Sequence, residues 1–132
     1  MPLTESTASP KELAETLKND AKDSGASSFV AVYASHVPSA TAGGQSQSWC
    51  GDCIAAEPLV EKKFGGKFGE KCWVVWAGDK AEWRTPDNVW RKAPFSITNL
   101  PTLIKVTPEG KWEKLVEGDV YNQRKLDAFV GF

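Results

Sequence analysis

The chain is poor in the residues that build metal centres and cross-linked scaffolds: its 132 residues include three cysteines, one histidine and one methionine. A structural zinc site needs four ligands. Beyond Cys50 and Cys53 only Cys72 and His36 remain, with no second C-x-x-C and no H-x-x-x-H, so no metal is expected. The even, scattered cysteine set that staples small extracellular domains is also missing. Neither sign of charge dominates: 16 Lys and Arg stand against 17 Asp and Glu, for a net charge of -1. The two signs are interspersed, which leaves no basic stripe for nucleic acid, and the six tryptophans lack the interleaved basic residues of a stacking platform. Long apolar runs are absent as well. The longest, at residues 29–34 and 72–77, are too short to cross a bilayer, and residues 1–20 have no hydrophobic core of a secretory signal. No membrane association is expected, and the cytoplasm is the expected location.

What is present is an ordinary globular composition, 41% hydrophobic and 25% charged. Residues 1–132 read as a single domain long enough to bury its own core. Leu13, Leu17 and Ala21 recur at helical spacing across residues 11–22, with Ser9 as N-cap and Pro10 at the first helical position. A β-branched and aromatic run at 29–34 reads as a buried strand, followed by a Ser-, Ala- and Gly-rich loop over 35–48. Residues 50–64 read as a helix with Pro58 as a kink, and 72–77 as a second buried strand. This β-α-β unit implies parallel strands. The polar stretch 78–99 is expected to hold a short helix after Pro86. Residues 102–106 and 111–116 read as an antiparallel hairpin closed by Thr107-Pro108-Glu109-Gly110, with Pro and Gly where a type I turn favours them. Residues 119–130 then supply a terminal helix with Leu126, Phe129 and Val130 on one face. The order α-β-α-β-α-β-β-α predicts an α/β fold with a central mixed β-sheet flanked by helices on both faces.

The segment Trp49-Cys50-Gly51-Asp52-Cys53 carries the chemistry. Reducing a disulfide takes an exposed thiolate that attacks and a second thiol that resolves the mixed disulfide. A cysteine at a helix N-terminus is favoured as the anion by unpaired N–H groups and the helix dipole. The i, i+3 spacing places the second sulfur one turn on, on the same face. Trp49 is expected to cover one flank of the nucleophile. Cys72 begins an apolar strand and reads as core, and His36 as a solvated loop histidine. Glu57, four residues after Cys53, shares its helical face. It reads either as an exposed carboxylate or as a proton acceptor for Cys53.

This order of elements with W-C-x-x-C resembles the thioredoxin superfamily. Pro58 lies five residues after Cys53, where thioredoxins carry a helix-kinking proline. Leu100-Pro101-Thr102-Leu103 is similar to the cis-proline loop that faces their reactive pair. More specifically, W-C-x-D-C with Ala56-Glu57-Pro58 is similar to the Clot-type 14-kDa thioredoxin-related proteins, the thioredoxin domain-containing protein 17 family. Gly78-Asp79-Lys80, Trp83-Arg84-x-Pro86-x-Asn88 and Trp90-Arg91-Lys92 are similar too. Gly51 departs from that pattern, which has proline there, and implies a shifted redox potential. Val32 falls about where thioredoxins have a buried acid, which would leave Glu57 to replace it.

The resemblance implies a thioredoxin fold and a cytosolic dithiol–disulfide oxidoreductase. Cys50 attacks and Cys53 resolves, while Trp49, Gly51, Asp52 and Glu57 support them and Leu100 and Pro101 contact substrate. It implies electrons from NADPH through thioredoxin reductase, no bound cofactor, and small disulfides such as cystine together with selected proteins as substrates. A monomer is expected. Trp83, Arg84 and Arg91 are expected near the reactive face, where they would restrict access. Two rival readings are a redox-sensing interaction module and a glutathione-dependent glutaredoxin. The second is disfavoured because Leu100-Pro101-Thr102 lacks the Thr-Val-Pro sequence of glutaredoxins.

Overall fold

The computed structural model describes residues 3–37, 47–48, 50–65 and 72–131. The first helix, α1 (Pro10–Ser24), starts where the sequence places it. Ser9 and Glu12 form a reciprocal capping box, and Gly25 closes the helix at φ 71°, a conformation glycine takes without a Cβ clash. Its inner stripe is Leu13, Leu17 and Ala21, all buried.

Strand β1 (Leu3–Glu5), which the polar N-terminal composition did not suggest, pairs parallel to β5 (Cys72–Trp76), which in turn pairs parallel to β2 (Ser28–Tyr33). Strands β6 (Thr102–Val106) and β7 (Trp112–Val116) complete the sheet antiparallel, in the order β1-β5-β2-β6-β7. The expected mixed sheet is therefore present, with one further edge strand. The two-residue strands β3 (His36–Val37) and β4 (Gln47–Ser48) form a small antiparallel pair within the stretch read as loop.

Side chains alternate across a strand, and two contacts assign the faces. Phe29 of β2 packs on Phe64 of α2 (Gly51–Phe64) with ring centroids 5.1 Å apart. Ser28 Oγ, on the other side, donates to the Leu17 carbonyl of α1 at 2.6 Å. Phe29, Ala31 and Tyr33 thus face α2, whereas Val30 and Val32 face α1. The terminal helix α4 (Gln123–Val130) joins α2 through a 2.8 Å ion pair between Lys63 and Asp127, so helices cover both faces.

Two expected helices are corrected. The short helix precedes Pro86: α3 spans Lys80–Arg84, because Asp79 and Glu82 form a second capping box, and only a 3-10 turn at Val89–Arg91 follows. The terminal helix begins at Gln123 rather than 119. Asn122 caps it by accepting from the Lys125 N–H, and residues Glu117–Asp119 form a separate 3-10 turn.

Candidate active site

Helix α2 positions the two thiols. Cys50 is its N-cap, with extended backbone (φ -103°, ψ 115°), and its Sγ accepts from the Cys53 N–H at 3.2 Å. A sulfur in this position answers one of the unpaired N–H groups of the first turn and meets the positive end of the helix dipole. Cys53 lies one turn on, fully buried on the inner stripe with Ala56, Val60 and Phe64. The Ala34 N–H, just past β2, donates to its sulfur at 3.4 Å. Cys50 is partly exposed and Cys53 is enclosed. This gives an outer and an inner sulfur on a single turn.

The Leu100–Pro101 peptide bond is cis, as the motif implied. The Leu100 carbonyl lies 3.7 Å from Cys50 Sγ and accepts from its thiol. Leu100 and Pro101 are buried beside the partly exposed nucleophile. A second cis bond, Ala93–Pro94, was not foreseen.

Gly51 and Asp52 occupy the first two positions of α2. A Cβ built on Gly51 meets nothing within 4 Å, and its φ is outside the left-handed range. The Asp52 carboxylate, favourably placed in the first turn, accepts from Tyr121 Oη at 2.9 Å. Tyr121 was missed from the sequence. It lies 69 residues from Asp52, and no local pattern marks such a partner. The phenol of Tyr121 is pushed up first by this hydrogen bond, then by the charge of Asp52, with smaller contributions from Glu117 and Cys50. It therefore remains a donor at neutral pH.

Glu57 is half-buried and opens on a cavity of about 210 Å³ with Glu5, Tyr33, Glu61, Val74 and Trp76. Tyr33, on the α2 face of β2, has its hydroxyl pushed well up, by burial first and then by the charges of Cys72, Glu57, Glu61 and Cys53. Val32 points to the α1 side. The β2 residue facing the resolving cysteine's helix near the strand's end is thus Tyr33, because strand alternation reverses on a one-residue step. Cys72 is fully buried, and burial raises its thiol far above the ordinary range. It is core, as expected.

Trp49 lies outside the described residues, and His36 is placed only as a residue of β3. Trp83 is buried, not part of an exposed rim. Arg91 stacks over its ring at 3.8 Å and donates to its carbonyl at 2.7 Å, so its charge is committed there. Asp52 and Glu117 both raise the Tyr121 phenol, as Cys50 does, so Tyr121 stands among these acidic groups. No helix is long and apolar enough to cross a membrane, and no group of three metal-ligating side chains is gathered, both among the described residues.

Residues 7–131 match the family described as thioredoxin domain-containing protein 17-like, thioredoxin domain. The chain belongs to this family. Within the family, it is 34% identical to the Arabidopsis thaliana thioredoxin-like protein Clot over 94 residues, covering 69% of this chain and 66% of that protein. It is 37% identical to human thioredoxin domain-containing protein 17 over 90 residues, covering 67% and 68%. The match thus spans about two thirds of these relatives' length. The fold is that of thioredoxins: Fasciola hepatica thioredoxin aligns with a TM-score of 0.62 at 21% identity, covering 99% of this chain and 97% of the other. Membership of the thioredoxin domain-containing protein 17-like family supports a thioredoxin-type redox function.

Proposed function

We propose that the protein is a cytosolic dithiol–disulfide oxidoreductase that reduces small disulfides such as cystine and selected protein disulfides. The observation that carries this reading is the pair of cysteine sulfurs on the first turn of α2. The outer one caps the helix beside the Leu100 carbonyl, and the inner one is enclosed.

In the proposed cycle the Cys50 thiolate attacks one sulfur of the substrate disulfide. The Cys50–substrate bond forms, and the other substrate sulfur leaves as a thiolate that takes a proton from water. Cys53 then loses its proton and attacks Cys50 Sγ. The Cys50–Cys53 bond forms, the second substrate thiolate departs, and the substrate is reduced by the two electrons that the dithiol gives up. Glu57 receives the Cys53 proton in this reading. Its place one turn from Cys53, half-buried on a cavity, supports that role. Leu100, ahead of the cis proline, offers backbone to an extended substrate segment. The family resemblance supports NADPH and thioredoxin reductase as the electron source, with no cofactor held by this chain.

The test is trapping. Cys53→Ser should accumulate a mixed disulfide on Cys50 that mass spectrometry detects, and Cys50→Ser should form none. An adduct on Cys53 in the Cys50→Ser protein, with none on Cys50 in the reciprocal variant, would reverse the roles. Turnover of cystine with NADPH and thioredoxin reductase separates an enzyme from a redox-sensing module.

A further inference from the structure

Residues 117–121, which follow β7, touch both halves of the site. At the β7 end, Val116 is in register with Thr102, the residue after Pro101. The Glu117 N–H donates to the Pro101 carbonyl at 2.8 Å, with Glu117 itself at φ 52°. That conformation is unfavourable for a residue with a Cβ, and it turns the chain sharply out of the strand. The Val120 N–H closes the turn on the Glu117 carbonyl at 3.0 Å, and Val120 is buried. Tyr121 folds back so that its hydroxyl lies 3.6 Å from where a Cβ on Gly118 would stand, and it reaches Asp52 at 2.9 Å. The turn is thus fastened to the cis-proline loop through the backbone and to α2 through one phenol.

We propose that Tyr121 is a positioning residue of the reductase site. Its hydrogen bond to Asp52 ties the helix that carries Cys50 to the turn that carries the Pro101 loop. This fixes the separation between the nucleophile and the backbone against which a peptide substrate pairs. The inference rests on the reductase reading above. A peptide disulfide must meet Leu100 and Cys50 at once, so a loosened latch costs it pre-organisation. A small disulfide needs chiefly the sulfur, and therefore depends less on the latch.

The experiment uses the full chain, reduced beforehand, in single-turnover reactions with two probes: cystine, and a disulfide-linked dimer of a short linear peptide. The readout is the ratio of second-order rate constants, peptide over cystine. Tyr121→Phe keeps the ring and removes the donor, and it should lower that ratio about three- to tenfold, the equivalent of one net hydrogen bond. Asp52→Ala breaks the same bond from the other end and should lower it comparably, and the double variant should be no worse than either single one. Asp52→Asn retains an acceptor and should hold the ratio near the wild-type value. A Tyr121→Phe ratio within about twofold of wild type, or a double variant equal to the product of the singles, would overturn the proposal while leaving the reductase reading intact. Failure of the wild type to reduce either probe would overturn both.

Discussion

Replacing Gly51 by proline should stabilise the reduced protein by about 0.4–1 kcal/mol, the usual gain when a rigid residue replaces a flexible one at a compatible position. Three features make the position compatible. Gly51 is the first residue of α2, where the backbone N–H has no intrahelical acceptor and proline's fixed φ suits the helix start. A Cβ there meets nothing within 4 Å. The preceding residue, Cys50, is already extended at φ -103° and ψ 115°, as the residue before a proline must be. The gain comes from the unfolded chain, which loses conformations that glycine allows, so the contacts of the native state need not change. Urea denaturation of the reduced proteins should show a higher midpoint with an unchanged slope, and the thermal midpoint should rise by about 1–4 °C. A Gly51→Ala variant separates the loss of glycine freedom from the proline ring. Destabilisation by proline, or a changed slope, would refute the assignment of Gly51 to an unstrained first helical position.

If Glu57 accepts the Cys53 proton, Glu57→Gln should slow resolution of the mixed disulfide by about 10²-fold while the first attack changes little, as stopped-flow single turnovers would read. Cys72→Ser should cost about 1–3 kcal/mol in urea denaturation, because it places a hydroxyl in a fully enclosed strand position; cystine turnover should be preserved. Asp127, at the α2–α4 contact, is held below the usual carboxylate value, by its hydrogen bond to Lys63 first and by Gln123 next. The carboxylate is therefore favoured in the folded state. The stabilisation is present above the usual carboxylate range and is lost as pH falls through that range toward the lower folded value. Urea midpoints measured against pH should fall more steeply on acidification for wild type than for Lys63→Met. Parallel curves would assign the acid loss to other groups.

The sequence alone was enough wherever the determinants are local. The N-cap Ser9 with Pro10 after it, the helical stripe of α1, the two apolar strands, the proline–glycine turn between β6 and β7 and the cysteine pair at a helix start each occupy a few consecutive residues whose spacing carries the physics. The family resemblance added the cis-proline loop on the same kind of local motif. The elements that were misread were decided by more distant partners or by competing short-range caps. The polar strand β1 is a strand because the free edge of β5 supplies its hydrogen bonds. The short helix precedes Pro86 because Asp79 and Glu82 cap it there. The terminal helix is shortened as Asn122 caps it and the residues before it turn to place Tyr121 on Asp52. Tertiary structure alone decided which side of β2 faces the resolving cysteine. A strand's period of two makes Val32 and Tyr33 opposite in meaning, and only the packing of Phe29 on α2 fixes the phase. The burial of Trp83 beneath Arg91 and the joining of Tyr121 to a residue 69 positions away have the same origin. Such contacts are made between surfaces that chain spacing does not specify, and they exist only once the sheet has brought its two faces and its loops to their places.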